Sequence, residues 1–498
     1  MIRRLLLCCR GEIAMRFIRT CRELGIETAV AYPVEDMGAP YVMAADRRIP
    51  LQARTPSEAI PEVIAAAKLL PADAIAPGYG PLAENAGFSA LCASEGFVFV
   101  GPNVNAIRLS GDKLQARQAA EEAGVPVIPG AMMPADMDLC VSIARQIGFP
   151  IIVKAVLGGG GRGIRVAQDE HELVGVLEEV RREAQGAFGS DQVYVERFLG
   201  EKVRHIEVQI IADQHGTVLH LGDRECSVQR RRQKLVEEAP APNLSARVRR
   251  SLYRSALGIS KAIRYDSAGT VEFLVDPTGR FYFIEMNARI QVEHPVTESV
   301  CGVDIVEQMI RVASGEPLAL EQDDIHLAGH AIEFRICAED PLNSFFPVAG
   351  VVLSYAVPEG PGIRVDSGIT SGMVQSPLFD SLCTKLIVHG RDRTQALFRA
   401  TEALREFKVV GFPTNVAFHH WLLRHPDFIR GGYNLGLVGE FSVSAPEKTE
   451  IQKGLVAIAA VSAWLARRRE PSADVATTAA PASPWRMRNQ LRSYVDVI

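Results

Sequence analysis

The feature that most constrains this chain is a stretch of alternating polar residues between Gly269 and Glu298. Residues 271–275 and 280–286 are rich in β-branched and aromatic side chains, which favour strands. Asp276-Pro277-Thr278-Gly279 lies between them and contains the residues that form tight turns. The first part of the stretch is therefore predicted to be a β-hairpin.

The register of this hairpin predicts a pair of opposed carboxylates. A loop at Thr278-Gly279 places Glu272 directly opposite Glu285, and Asn287 lies on the Glu285 face. If the loop is longer and shifts the register by an even number of residues, Glu272 and Glu285 become diagonal neighbours instead of direct partners. Because like charges facing each other across a ladder are destabilising, the patch predicts a hard cation such as Mg²⁺. The alternative is two solvated carboxylates on a polar sheet face.

The alternation continues beyond the hairpin. If the segment stays extended, its polar residues point in one direction: Glu285, Asn287, Arg289, Gln291 and Glu293. Two acids, one cation and two amides on a single face suit a binding site better than a hydrophobic core.

Composition sets the outer limits. A chain of 498 residues is too long for one core, so two to four domains are expected. The net charge of −5 gives no reason to expect nucleic acid or an anionic membrane as a partner. The chain has nine cysteines and no CxxC pair, which is typical of reduced cysteines. The apolar run at residues 455–466 is too short to span a bilayer, and a cytoplasmic protein is expected.

The N-terminal part predicts a doubly wound α/β domain. Short apolar strands alternate with helical segments, and the strands are expected at residues 5–9, 28–32, 74–76 and 97–100. This βαβ order implies a parallel sheet. The loop Pro77-Gly78-Tyr79-Gly80 follows one of these strands, where such folds bind ligands, although a Pro-Gly turn alone is weak evidence.

A glycine run follows in the next segment, at residues 158–163. It formally contains GxGxxG, but Ile164-Arg165-Val166 indicates a returning strand and not the helix that a dinucleotide fold requires. A glycine-rich hairpin that covers phosphates is predicted instead, with Lys154 as a point charge; the alternative is a flexible surface turn. Residues 224–234 then form a basic segment, which is either a solvated loop or part of an anion site.

Several motifs together resemble the biotin carboxylase family, the ATP-grasp component of biotin-dependent carboxylases. They are Arg10-Gly11-Glu12-Ile13-Ala14, Pro77-Gly78-Tyr79-Gly80, Gly111-Asp112-Lys113, Gln229-Arg230-Arg231, Gln233-Lys234, Glu237-Glu238-Ala239-Pro240 and the run from Glu285 to Pro295. The likeness covers residues 1–441, and the last motif is the most specific.

The resemblance implies a multidomain fold that combines α/β and α+β parts. The expected domains are an N-terminal doubly wound α/β domain at 1–112, an ATP-grasp domain at 113–325 with a mobile lid at about 129–204, a mixed C-terminal domain at 326–441, and an Ala-rich helix with a linker tail at 442–498. The implied reaction is ATP- and bicarbonate-dependent carboxylation of biotin through carboxyphosphate.

The resemblance also implies roles for individual residues. Nucleotide contacts are expected from Lys113, Lys154, Gly160, Gly161, Glu196, Leu199, His205 and Gln229. The family's metal ligands, for Mg²⁺ or Mn²⁺, correspond to Glu272, Glu285 and Asn287, in agreement with the hairpin argument. The bicarbonate site corresponds to Lys234, Arg289, Gln291 and Val292. Glu293 matches the general base, and Arg335 matches the residue that stabilises the biotin enolate.

The partners implied are a biotin carboxyl carrier protein and the carboxyltransferase of an acyl-CoA carboxylase, in a homodimer or larger complex. Biotin is expected on a separate chain because no Met-Lys-Met motif occurs. Two alternatives stay open: another ATP-grasp ligase that joins a carboxylate to an amine, and a non-catalytic paralogue that binds nucleotide and scaffolds a carboxylase. The second is motivated only by departures from the family at Ala76, Val156-Leu157 and Arg232.

Overall fold

The computed structural model describes residues 2–156, 164–442 and 461. Residues 1–441 form one compact unit. The glycines at 158–163, including Gly160 and Gly161, and nearly all of the tail predicted at 442–498 lie outside the described residues. No helix among the described residues has both the length and the apolar character needed to cross a membrane.

The N-terminal part is the predicted doubly wound unit. Its parallel sheet has five strands in the order β3-β2-β1-β4-β5. The strands are β1 Arg4–Leu7, β2 Glu27–Pro33, β3 Arg47–Leu51, β4 Ala74–Ala76 and β5 Val98–Phe99. The helices are α1 Glu12–Glu23, α2 Pro40–Ala44, α3 Pro56–Leu69, α4 Ala86–Ser94 and α5 Val104–Gly111.

Alternate residues of β1 pack into different hydrophobic clusters. Leu5 and Leu7 lie in one cluster and Leu6 in the other, so both faces of the sheet are covered. The order of the strands reverses beside β1, where the loops after β1 and β4 come together. Glu12 and Tyr79 lie in or just after these loops.

The next segment is a small α/β layer with its own hydrophobic cluster. Helix α6 Lys113–Glu122 leads into a four-stranded sheet of order β6-β9-β7-β8. Its elements are β6 Gly130–Met132, α7 Met137–Ile147, β7 Ile151–Ala155, β8 Ile164–Ala167, α8 Glu170–Phe188 and β9 Val193–Arg197. Strand β8 pairs antiparallel with β7, which confirms the predicted return strand.

The largest sheet has eight strands, in the order β14-β13-β10-β11-β12-β15-β22-β20. They are β10 Arg204–Ala212, β11 Val218–Arg230, β12 Gln233–Ala239, β13 Ser267–Val275, β14 Phe281–Asn287, β15 His330–Cys337, β20 Ile363–Ser367 and β22 Leu382–Gly390. All neighbours in this sheet are antiparallel. The sheet continues across residue 325, where the sequence predicts a domain boundary.

The remaining helices and short strands surround this sheet. The helices are α9 Ala246–Ala262, α10 His294–Cys301, α11 Ile305–Ala313, α12 Arg393–Glu406, α13 Val416–Leu422 and α14 Pro426–Arg430. The short strands are β16 Glu339–Asp340, β17 Phe346–Pro347, β18 Gly350–Val351, β19 Ser354–Ala356, β21 Val374–Gln375 and β23 Lys408–Val410.

One face of the β13–β14 hairpin packs on helix α9. Val271, Phe273, Phe283 and Met286 share a buried cluster with Leu252 and other residues of that helix. Because strand side chains alternate between faces, this packing leaves the polar residues of the hairpin on the opposite face. The apolar cluster thus fixes the platform on which the polar site is built.

Candidate active site

The hairpin brings two carboxylates together as predicted. Glu272 of β13 pairs directly with Glu285 of β14. The loop is longer than the predicted Thr278-Gly279, because the ladder closes at Val275 and Phe281. A bulge between Glu272 and Phe273 compensates for this shift, since β14 carries one extra residue at that point. The predicted Glu272–Glu285 pairing and the predicted turn at residues 276–279 are confirmed, although the loop is longer than the two residues assumed for the register.

The two carboxylates have different environments. Glu272 Oε1 accepts hydrogen bonds from Asn287 Nδ2 at 2.8 Å, from Gln291 Nε2 at 2.7 Å and from Lys234 Nζ at 3.1 Å. Burial raises the pKa of Glu272, but Lys234 and His205 outweigh it and hold that pKa well below its usual range. Burial, followed by repulsion from Glu272, raises the pKa of Glu285.

This geometry fits a divalent cation. Glu272 is buried and faces the half-buried Glu285, and Asn287 Oδ1 lies beside them and accepts from Arg289 Nη2 at 3.1 Å. Two carboxylates and an amide oxygen provide the oxygen ligands that Mg²⁺ prefers. His205, Glu207 and Glu272 could also approach one ion. Glu207 is paired with two cations, Arg224 and Lys234, each at 2.5 Å. Glu285 instead keeps a like-charge repulsion from Glu272, which a cation between them would relieve.

Glu293 is a buried carboxylate held between two cations. Its Oε1 lies 2.5 Å from Lys234 Nζ, and its Oε2 accepts from Arg335 Nη2 at 2.8 Å. Burial raises its pKa, but Lys234, Arg335 and Arg224 together place the pKa of Glu293 well below its usual value. Glu293 is therefore ionised at neutral pH.

Lys234 is the central cation of the site. Its Nζ contacts Glu207 at 2.5 Å, Glu272 at 3.1 Å and Glu293 at 2.5 Å. Burial lowers its pKa, but these carboxylates outweigh burial and raise the pKa of Lys234 well above its usual value. The Lys234 ammonium is thus charged, and it adjoins both Glu272 of the acid pair and Glu293.

The segment after β14 does not stay extended as the sequence predicts. Strand β14 ends at Asn287, and Val292 and Glu293 form a turn before α10. The side chains still converge, because Gln291 reaches back to Glu272 and Arg289 Nε contacts Glu84 Oε1 at 2.8 Å. Tertiary contacts, and not strand alternation, bring Arg289, Gln291 and Glu293 to the site.

Sequence reasoning missed the group that supports this arrangement. Arg224 is fully buried and donates to Glu207, Gln209, Thr270, Gln291 and Thr297. The signal was available in strand β10, where Glu207 and Gln209 interrupt an apolar pattern opposite the basic segment. The buried Arg224–Glu207 ion pair thus links strands β10 and β11 to Gln291 and Thr297, which lie on either side of Glu293 in the chain.

Arg335 connects Glu293 to a second pair of buried acids. Its Nη2 lies 2.5 Å from Glu237 Oε1 and 2.8 Å from Glu293 Oε2. Glu237 pairs across strands with Glu333, and both are fully buried. Burial raises the pKa of Glu237 to about 7, against the opposing effect of Arg335. Arg335 thus has one carboxylate partner on each side.

The residues expected on the nucleotide side are partly assembled. Lys154 forms an ion pair with Glu196 across β7 and β9. Gln229 Nε2 lies 3.1 Å from Nδ1 of His205. The other ring nitrogen of His205, Nε2, lies 2.8 Å from Glu272 Oε2. Burial lowers the pKa of Lys113, partly offset by Glu285. Leu199 is half-buried in the connection between β9 and β10.

Three family models match consecutive parts of the chain. They are the biotin carboxylase N-terminal domain at residues 1–107, the carbamoyl-phosphate synthase L chain ATP-binding domain at 112–321 and the biotin carboxylase C-terminal domain at 333–440. Together they account for most of residues 1–440.

Similar curated proteins cover nearly the same range. Biotin carboxylase of Pseudomonas aeruginosa is 47% identical over 440 residues, which cover 87% of this chain and 97% of that protein. A pyruvate carboxylase subunit of Methanothermobacter thermautotrophicus is 44% identical over 445 residues, which cover 89% of this chain and 90% of that protein.

Similar solved structures include two with ligands. A biotin carboxylase–β-γ-ATP complex from Campylobacter jejuni is 43% identical, with a TM-score of 0.85, and covers 89% of this chain and 99% of that one. The biotin carboxylase domain dimer of Hydrogenobacter thermophilus 2-oxoglutarate carboxylase contains MgADP, ADP and bicarbonate. It is 41% identical, with a TM-score of 0.85, and covers 89% and 100%.

Proposed function

Since the chain belongs to the biotin carboxylase family and is an ATP-dependent ligase that carboxylates biotin, we propose how its residues divide that reaction. The observation that carries the proposal is the ionised Glu293 between Lys234 and Arg335, next to the Glu272–Glu285 pair. A carboxylate in this state accepts a proton, and the adjacent acid pair suits a phosphate-bound cation.

The first step is phosphoryl transfer to bicarbonate. Glu293 removes the bicarbonate proton, the oxyanion attacks the γ-phosphate of ATP, and ADP leaves as carboxyphosphate forms. Lys234, Arg289, Gln291 and Val292 surround the bicarbonate, and the two cations neutralise its charge. Such a transfer depends mainly on positioning and charge neutralisation.

The nucleotide is held on the opposite side of the acid pair. Lys113, Lys154, Gly160 and Gly161 take the phosphates, and Glu196, Leu199, His205 and Gln229 take the adenine and ribose. Glu272, Glu285 and Asn287 hold Mg²⁺ or Mn²⁺, which supplies positive charge between the transferring phosphates when bound. Burial at Glu272 and Asn287 excludes water from this contact.

The second step carboxylates biotin. Carboxyphosphate breaks down to CO₂ and phosphate, and the phosphate takes the N–H proton of biotin. Arg335 stabilises the resulting enolate, whose nitrogen bonds to the CO₂. The guanidinium of Arg335 suits an enolate oxygen because it carries a fixed charge and directional N–H donors. Its two carboxylate partners, Glu237 and Glu293, hold it in place.

The partners are part of the proposal. We infer a biotin carboxyl carrier protein that presents biotin and a carboxyltransferase that uses it, in a homodimer or larger complex located in the cytoplasm. The dimeric biotin carboxylase domain of the Hydrogenobacter protein supports the dimer. The nine cysteines are all free, which is consistent with a reducing compartment.

The acceptor is proposed to be an acyl-CoA. One of the similar proteins belongs to a pyruvate carboxylase, so the acceptor needs a direct test. The carboxylated carrier should be offered to the carboxyltransferase partner with acyl-CoA or with pyruvate. Carboxylation of pyruvate alone would contradict the acyl-CoA assignment and leave the biotin carboxylase roles intact.

The decisive experiment is bicarbonate-dependent ATP hydrolysis with Mg²⁺, with and without free biotin. Glu293→Gln should lower this turnover by at least about 100-fold, because general base catalysis contributes that much, while ATP binding persists. Glu307→Gln, at a half-exposed ion pair with Arg311, is the control and should match wild type. Tight ATP binding without bicarbonate-dependent turnover in wild type would favour a scaffold. Turnover with an amine acceptor in place of bicarbonate would favour the other ligase class.

A further inference from the structure

The backbone that carries the proposed base has an external hydrogen-bond donor. Residues 288–293 connect β14 to α10 outside any helix or strand, so their carbonyls have no ladder partners. Val292, directly before Glu293, accepts a hydrogen bond from Lys385 Nζ at 2.9 Å. This contact fixes the peptide that joins Val292 to Glu293.

Lys385 is fully buried and needs a counter-charge. Its Nζ lies 2.8 Å from Glu12 Oε2, and the Tyr79 hydroxyl donates to Glu12 Oε1. Burial lowers the pKa of Lys385, but Glu12, Glu333 and Asp366 together outweigh burial and raise that pKa above its usual value. The ammonium is thus charged and held by groups from α1 and from the loop after β4.

Lys385 and Arg335 form a matched pair on neighbouring strands. They are direct cross-strand partners on β22 and β15, so both side chains project from the same face of the sheet. Arg335 holds the Glu293 carboxylate at 2.8 Å, and Lys385 holds the carbonyl just before it at 2.9 Å. One cation restrains the side chain of the base and the other its backbone.

We propose that Lys385 is a positioning residue for Glu293, with Glu12 as its counter-ion and Tyr79 as the anchor of Glu12. The inference rests on the proposed role of Glu293 and extends it to residues that contact no reacting atom. A base must stay close to its optimal geometry to be effective. The backbone beside Glu293 has turn hydrogen bonds from His294 N to Gln291 O and from Val296 N to Glu293 O, each at 3.3 Å, and the Val292 carbonyl between them accepts from Lys385. The Tyr79–Glu12–Lys385 chain adds this restraint from the N-terminal unit.

The test separates positioning from folding. Lys385→Met should lower kcat for bicarbonate-dependent ATP hydrolysis by about 10- to 100-fold, as expected for a misplacement near 1 Å, with KM for ATP changed less than about twofold. Lys385→Arg, which keeps the charge and a donor, should recover most of the loss. Glu12→Gln should give a smaller loss, and its effect should not add to that of Lys385→Met, because both act through one contact.

Arg249→Met is the matched control. Arg249 also bridges a carboxylate and a carbonyl, with Asp223 at 2.9 Å and Ala241 O at 2.7 Å, but neither Asp223 nor Ala241 is a proposed site residue. It should lower the unfolding temperature and leave kcat within about twofold of wild type. Equal losses in Arg249→Met and Lys385→Met, additive losses in the double variant, or no recovery in Lys385→Arg would overturn the inference.

These experiments test the role of Glu293 and the role of Lys385 separately. A wild-type chain with no bicarbonate-dependent turnover, or a Glu293→Gln variant that retains it, removes the proposed base. Wild-type turnover that depends on Glu293 but not on Lys385 removes only the positioning role.

Discussion

Glu272 and Glu285 are cross-strand neighbours of the same residue type, but the pKa of Glu272 is lowered and that of Glu285 is raised. Glu272 receives three hydrogen bonds from Lys234, Asn287 and Gln291, whereas the pKa of Glu285 is raised by burial and by the neighbouring charge. Glu272 has hydrogen-bond donors within the protein, whereas Glu285 retains a repulsion that the proposed cation would relieve. This asymmetry predicts what a neutral substitution does at each position.

Glu285→Gln should stabilise the chain when no divalent cation is present. The substitution removes the repulsion with Glu272 but keeps the side-chain volume, so the unfolding temperature in EDTA should rise. The same variant should need at least about 10-fold more Mg²⁺ for ATP hydrolysis, because one ligand is lost. Thermal unfolding and a Mg²⁺ titration measure these effects.

Asp366→Asn provides the opposite control. Asp366 is also buried, but Arg364 at 2.7 Å and Lys385 hold its pKa below the usual range, so its neutralisation should lower the unfolding temperature. Destabilisation of Glu285→Gln in EDTA, or an unchanged Mg²⁺ requirement, would contradict the assignment of the metal site.

Glu238 allows a prediction of the pH dependence of stability. Burial raises its pKa, but His330 and Arg393 outweigh burial and lower that pKa from 4.5 to about 2. A carboxyl whose pKa is lower in the folded state adds stability above pH 4.5, and that stability is lost as pH falls towards 2. Glu238→Gln should therefore cost about 3–5 kcal/mol at pH 7 and progressively less below pH 4.5.

Denaturant unfolding of wild type and Glu238→Gln at several pH values between 7 and 3 tests this directly. Glu402→Gln, at an exposed ion pair with Arg405, should change the free energy of unfolding little at any pH. A cost for Glu238→Gln that stays constant down to pH 3 would contradict the lowered pKa.

At the scale of elements, the hairpin β13–β14 depends on its turn and its bulge together. Asp276 Oδ1 accepts from the backbone N–H groups of Thr278 and Arg280, and Gly279 adopts a φ of +83°. The turn offsets the ladder by one residue, and the bulge beside Glu272 restores the register. Without the bulge, Glu285 would share the face of Phe283 and enter the core.

Gly279→Ala should lower the free energy of unfolding by about 1 kcal/mol, since a Cβ disfavours this left-handed conformation. Its Cβ would also lie 3.2 Å from Val248. Gly258→Ala in helix α9 is the matched control. It should raise the free energy by about 0.5–1 kcal/mol, because alanine favours helix and its Cβ meets only Ala123 at 4.0 Å. Equal signs for the two variants in denaturant unfolding would contradict this account.

At the scale of the whole molecule, the site depends on residues from distant parts of the chain. Glu12 and Tyr79 come from the N-terminal unit, Lys234 and Glu293 from the central strands, and Lys385 from β22. The eight-stranded sheet joins the segments predicted as ATP-grasp and C-terminal domains into one ladder. The boundaries at 112 and 325 stay predictions, because the compact unit spans residues 1–441.

A chain ending after Ser442 should retain bicarbonate-dependent ATP hydrolysis within about twofold of the full chain. Every proposed site residue lies before this point, and Phe441 packs against Phe345, Phe418 and Trp421. A chain ending before Leu437 is the control and should unfold more readily, since Leu437 belongs to the same core. Loss of activity in the chain that ends after Ser442 would assign a catalytic role to residues 443–498.

The local features of the fold could be predicted from the sequence alone. Period-two alternation predicts the β13–β14 hairpin and the Glu272–Glu285 pair, and apolar strands with helices between them predict the doubly wound N-terminal unit. Neighbouring residues set these patterns, since strand pleat and helix periodicity are short-range. The family motifs add the identity of the base and of the cations.

The contacts through which these groups support one another could be read only from the three-dimensional packing. Alternation predicts an extended segment through Glu293, yet the strand ends at Asn287 and contacts with Lys234, Arg335 and Lys385 position the base instead. Lys385 is 93 residues from Val292. Contacts over such a separation follow from sheet order and domain packing, which no local pattern encodes.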